Sequence, residues 1–125
     1  ALTKLYGTAM LITESTYSQL RRPVELREVD RVKMKGKLAA VTVYEVLDGL
    51  PAEDRASRLG TRPRFAEGLD RFRRGEMKEA LDCFTSVVAS DPRDVAAKLY
   101  VERCQKFIHD GVPAGWNGVI SLHTK

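Results

Sequence analysis

The chain has 125 residues, 43% hydrophobic and 30% charged, with a formal net charge of +4 and a sequence pI near 9.2. This is the profile of an ordinary globular protein of one domain or two small subdomains. No run approaches the ~20 apolar residues that cross a bilayer, and no stretch reads as a secretory leader, so a cytoplasmic setting is expected. Basic and acidic residues are interspersed, without a like-charge block or a basic-aromatic stripe, which argues against nucleic acid as a partner. Cys83 and Cys104 lack a Cys-x-x-Cys partner or a histidine at ligand spacing. Structural zinc is therefore not expected, and reduced, partly buried thiols are. His109 and His123 have no neighbour that suggests catalysis.

In chain order, Met10-Leu11-Ile12 is short and apolar, as a buried strand is. Thr13 is placed to cap a following helix, with Glu14 in its first turn, and that helix should run to Arg21 and stop before Pro23. Val24 and Leu26 alternate; then the phase shifts so that Val32 and Met34 share a face. Such a shift predicts a bulge or bend near Val29. Lys35-Gly36-Lys37 closes this run, and Val41 to Val46 forms the next strand, buried on part of both faces. A glycine between two lysines at a strand end offers backbone N–H groups and two mobile ammonium groups, for which phosphate is the natural guest. The alternative is a pair of solvated lysines at a turn.

Leu5-Tyr6-Gly7-Thr8, Leu11-Ile12-Thr13-Glu14-Ser15-Thr16-Tyr17, Glu25-Leu26-Arg27-Glu28-Val29-Asp30, Val32-Lys33-Met34-Lys35-Gly36-Lys37 and Val41-Thr42-Val43-Tyr44-Glu45-Val46 follow one another at close spacing. Over residues 4 to 47 this resembles the C-terminal end of a class III nucleotide cyclase catalytic domain, the adenylate/guanylate cyclase family. In that family the first lysine of the Lys-Gly-Lys turn contacts the substrate triphosphate. The resemblance assigns this role to Lys35, with Lys37 as a second candidate. It implies no catalytic and no metal-binding residue in this chain. The family's metal-binding aspartates, its asparagine–arginine pair and its base-selecting residues all precede the matched segment. The chain is accordingly expected to be a C-terminal piece of a longer enzyme. That parent would use magnesium or manganese and act as a dimer on a nucleoside triphosphate, with ATP favoured over GTP.

Residues 48–62 hold Gly49, Pro51 and Gly60 among charges with weak periodicity, and read as a linker with a short helical turn near Ala52 to Leu59. From Pro63 the pattern is helical. Phe65, Leu69 and Phe72 share one face. After Gly75, so do Met77, Ala80, Leu81, Phe84 and Val88. Asp91-Pro92 would start a third helix, carrying Ala96, Leu99, Tyr100, Cys104, Phe107 and Ile108. Gly68, Gly75, Ala80, Phe84 and Asp91-Pro92 resemble a single, degenerate tetratricopeptide repeat, although Arg71 stands where that repeat has a tyrosine. One repeat cannot form the groove of a longer array, so this unit would pack on its neighbour or on a second copy. In the tail, Trp116 is expected to dock, with Val119 to Leu122 added as an edge strand.

The fold class expected is α+β: a partial cyclase-type sheet over 1–47, a linker over 48–62, an antiparallel helical unit over 63–109 and a docking tail over 110–125. Two functions fit. The chain is the non-catalytic C-terminal part of an adenylate cyclase, or it is a regulatory, protein-interaction or dimerisation module built on the helices. The first predicts a homodimer or strand-exchanged dimer, the second a protein partner on the helical unit.

Overall fold

A computed structural model describes residues 2–8, 10–34 and 36–122. The fold is α+β, with a four-stranded mixed sheet packed on three long helices. The elements in order are α1 (Leu2–Tyr6), β1 (Leu11–Thr13), α2 (Glu14–Tyr17), β2 (Leu26–Met34), β3 (Val41–Val46), α3 (Ala52–Arg73), α4 (Met77–Ser90), α5 (Val95–Asp110) and β4 (Ile120–Leu122). The sheet order is β1-β3-β2-β4. β1 and β2 flank β3 in antiparallel pairing, and β4 runs parallel to β2.

The bulge expected near Val29 is present: Glu28 opposes Tyr44, but Asp30 opposes Val43. In a regular strand Arg27 and Asp30 would point to opposite faces. The extra residue puts both on the face that meets the helices, together with Glu45, Val43 and Val32, all buried. Thr13 caps α2 by accepting from the Thr16 N–H. That helix is shorter than expected and ends at Tyr17. Residues 18–20 form a turn whose N–H groups bond to Glu14, Thr16 and Tyr17 carbonyls. The Tyr17 ring packs on Tyr44, 5.2 Å between centroids, on the far side of the sheet from the three long helices.

The segment read as a linker is different in the structure. α3 starts at Ala52 and runs through Gly60 and Pro63 to Arg73. Its first half lacks an apolar stripe because its inward-facing side chains are Asp54 and Arg58, both buried. Arg58 reaches Glu45, Asp91 and the Arg93 carbonyl, which ties this half of the helix to β3 and to the segment before α5. The third long helix also starts later than expected. Asp94, not Asp91-Pro92, is its N-cap, accepting from the Ala97 N–H at 3.1 Å.

One continuous core joins sheet and helices. Tyr6, Val29, Val32 and Val43 lie in the same cluster as Phe65, Phe72, Ala80, Phe84 and Tyr100. Phe84 stacks on Tyr100 at 4.7 Å and meets Phe65 edge-on at 5.2 Å. α3 and α4 approach closely at Gly68, where an added Cβ would lie 2.7 Å from the Phe84 ring. Trp116 docks as expected: its indole N–H donates to the Phe72 carbonyl at 2.9 Å, and its ring packs on Phe72 and Phe107.

Phe84 is fully buried, so Phe84→Ala is expected to cost about 3–5 kcal/mol. Urea unfolding measures this. A mutant that melts like the wild type would mean that α3, α4 and α5 do not share this core.

Candidate functional site

The Lys-Gly-Lys turn lies at the end of the β2–β3 hairpin. Lys35 itself lies outside the described residues. Beside it, the Lys37 N–H donates to the Met34 carbonyl at 3.0 Å, and apart from its chain neighbours no described residue comes within 4 Å of where a Gly36 Cβ would stand. Lys37 is exposed, Leu38 is 95% exposed, and Lys33 is half-buried. Neither Lys33 nor Lys37 has an acidic partner within 4 Å among the described residues. An open turn with uncommitted ammonium groups leaves room for an anion.

The strand leading to this turn is held far more tightly than a surface hairpin needs. Arg27 is buried, with its guanidinium 4.1 Å above the Phe65 ring. It meets Asp94 at 2.6 Å and 3.1 Å, and the cross-strand Glu45 at 2.8 Å. Burial works against the Arg27 charge, but Asp94 and Glu45 outweigh it and hold its pKa above the ordinary value. Arg58 closes the network by reaching Glu45 at 3.2 Å and Asp91 at 2.9 Å. Thus β2, β3, α3 and the start of α5 meet in one buried ionic cluster.

A second buried group lies past the bulge. Asp30 accepts from Tyr6 at 2.5 Å and from Arg103 at 2.8 Å. Tyr100 donates its hydroxyl to the Val29 carbonyl at 2.6 Å, and Arg62 donates to the Leu26 carbonyl at 2.9 Å. β2 therefore lies extended across α3 and α5, gripped at two carbonyls and two charged side chains. None of these contacts was foreseen from the sequence. Nothing local in the sequence marks Arg27, Arg58 and Arg103 as ion-paired against the sheet, and the phase shift at Val29 is the one available signal.

The chemistry of these groups is structural. Every acid of the two clusters faces an arginine. Among the described residues no three His, Cys, Asp or Glu side chains are arranged to hold a metal ion. Burial pushes the Cys83 thiol up and the Cys104 thiol up to about 12, which makes both poor nucleophiles near neutrality. A groove of about 360 Å³ between β2 and α3 is lined by Arg31, Arg62 and Arg73, but Glu25 and Glu28 pair with the latter two. No described helix is long and apolar enough to cross a membrane.

Against known proteins, the chain is 33% identical over 106 residues to the terminal-differentiation-specific adenylate cyclase of Dictyostelium discoideum. The match takes in 82% of this chain and 5% of that protein, so the chain spans about a twentieth of its relative's length. The chain is thus related to an adenylate cyclase. A match this long exceeds the 1–47 segment more than twofold, so the similarity extends into the long helices. No family model and no solved structure matches the chain.

Two outcomes are expected of the buried groups. Arg27→Met should destabilise by about 3–5 kcal/mol, because buried Asp94 loses both of its close guanidinium bonds and Glu45 one of its two arginines. Arg64→Gln, at an exposed pair with Glu67, should cost under about 1 kcal/mol. Urea titrations compare the two, and equal effects would contradict the cluster.

The second outcome concerns alkali. Burial, and for the tyrosines the nearby Asp30 charge, raise Tyr6, Tyr100 and Cys104 above their ordinary pKa values. Their unfolded forms ionise near about 8.5 for the thiol and about 10 for the phenols. The stabilisation from keeping them neutral is complete below those values and is lost as pH rises above them. The urea midpoint should fall from about pH 9 upward. If Tyr6 and Tyr100 ionise near pH 10 in a chain that stays folded, by ultraviolet absorbance and circular dichroism, the burial argument fails.

Proposed function

We propose that the chain is the C-terminal part of a class III nucleotide cyclase. Residues 1–47 would close its catalytic domain, and residues 63–109 would form a tetratricopeptide-like helical unit fixed to that domain. The observation that carries this reading is the similarity to an adenylate cyclase over 82% of the chain. The open Lys-Gly-Lys turn and its uncommitted neighbours support the phosphate role. The close approach of Gly68 to Phe84 and the burial of Ala80 support the repeat-like reading of α3 and α4.

In this reading the parent, a cytoplasmic or membrane-anchored dimer, converts ATP to cyclic AMP and pyrophosphate for intracellular signalling. The ribose 3′-hydroxyl attacks the α-phosphorus, and negative charge accumulates on the departing pyrophosphate. Lys35 places a compact positive charge at the β/γ end, where it counts most in the transition state. Lys37 adds a second. Magnesium or manganese, held by parent residues outside this chain, would supply charge compensation at the phosphates. The isolated chain, lacking those residues, is not a catalyst. A free peptide-binding module is less well supported, because α3 and α5 already commit their apolar faces and ionic groups to β2.

Lys35→Ala in the full-length enzyme should lower kcat/KM roughly ten- to hundredfold, the loss of one charge-assisted phosphate contact of about 1.5–3 kcal/mol. The thermal melt should barely move, and Lys35→Arg should recover only part of the activity. Wild-type kinetics in Lys35→Ala would falsify the phosphate role.

A further inference from the structure

β2 ends at Met34, immediately before the Lys35-Gly36-Lys37 turn. The last three residues of β2 are those that β4 covers: Val32 pairs with Ile120, Lys33 with Ser121 and Met34 with Leu122. β4 is the outermost strand on that side of the sheet. A three-residue parallel strand is too short to stand on its own pairing. This one is tethered at the other end. The Trp116 indole is bonded to the Phe72 carbonyl at the end of α3, and its ring is wedged between Phe72 and Phe107. Between anchor and strand, the Asn117 side chain accepts from the Val119 N–H. Gly118, at φ 81°, passes so near α3 that a Cβ would lie 2.7 Å from the Arg73 Cβ and 3.0 Å from its Cα. The crossing therefore admits glycine alone without displacing backbone.

We infer that residues 116–122 are a strap that ties the helical unit to the Lys-Gly-Lys turn and positions it for the triphosphate. The inference rests on the phosphate role proposed for Lys35. A lysine on an untethered hairpin end samples many positions, and each costs binding entropy when one is selected. β3 pairs with β2 only as far as Val32, so β4 alone holds Lys33 and Met34 and sets the direction in which β2 leaves the sheet. The helices then act on catalysis through the tail, without touching substrate. Trp116 and Gly118 are positioning residues.

The test uses the full-length enzyme with residues 119–125 deleted, which removes β4 and leaves the Trp116 dock in place. Gly118→Ala is the second variant. The readouts are KM for ATP, kcat, inhibition by inorganic tripolyphosphate, and a thermal melt with Trp116 fluorescence as the folding control. The strap predicts a three- to tenfold rise in KM and a matching rise in the tripolyphosphate inhibition constant. kcat should change less than twofold, and Lys35→Ala combined with the deletion should be no worse in KM than Lys35→Ala alone. A purely structural tail would lower the melt and kcat while leaving tripolyphosphate inhibition unchanged, and that result overturns the inference. So does wild-type KM in a folded deletion variant. If Lys35→Ala alone has no effect, or the wild type turns over no nucleoside triphosphate, the phosphate reading falls and the strap with it. If Lys35→Ala is impaired and the deletion is not, the strap alone falls.

Discussion

Arg27 is the residue on which the rest of the structure depends. It sits on β2, faces Glu45 across the strand pair, holds Asp94 at the start of α5 and covers Phe65 of α3. Burying a guanidinium is costly unless its partners are well placed. Here two carboxylates and an aromatic face meet it, and Arg58 reaches the other Glu45 oxygen at 3.2 Å and shares the Asp94 Oδ2 at 3.7 Å. An apolar residue of similar volume would contribute as much burial but would not select one register. The ionic cluster ties the sheet to the helices, because Arg27 and Arg58 each reach both Glu45 and Asp94.

The bulge at Val29 makes this possible. It turns Asp30 onto the face already occupied by Arg27, so β2 presents two charged anchors, one for each end of the helical face. Arg27 engages the start of α5, and Asp30 engages Arg103 two turns further along. Tyr100 lies between them and takes the Val29 carbonyl, which the bulge leaves without a ladder partner. Fold and proposed function meet at this strand. The helical unit does not sit beside the β2–β3 hairpin as a separate module; it holds the strand that leads into the Lys-Gly-Lys turn. The similarity to an adenylate cyclase, which extends into the helices, is consistent with the two being kept together.

Much of the architecture was legible in the residues. The strand phase shift, the Thr13 cap, the aromatic face of Phe65, Leu69 and Phe72, and the docking of Trp116 all arise from local chemistry or from apolar bulk that must find a home. The first half of α3 was not legible. Its inward residues are an aspartate and an arginine, and it contains a glycine and is followed by a proline, so both periodicity and punctuation pointed to a linker. Charged residues reveal burial only through partners distant in sequence, and Arg58 finds its own at Glu45 and Asp91. The start of α5 was misplaced for a related reason: Asp91 and Asp94 look alike as caps, and Asp91 is spent on Arg58. At the candidate site, Lys35 and Lys37 were identified by resemblance to a family. Periodicity and spacing alone show a turn, not what it binds.

If Arg27 and its partners make sheet and helices one cooperative unit, the measurement that tests this most directly is native-state hydrogen exchange across β2, β3 and α5. Amides that open only by global unfolding share one free energy. The account predicts that the most protected amides of β2 around Arg27 to Val32 and those of α5 around Tyr100 to Cys104 exchange with the same free energy and the same denaturant dependence. If the hairpin strands open at a free energy lower by about 2 kcal/mol or more while α4 and α5 stay protected, the helical unit and the sheet are separate units and the account is wrong.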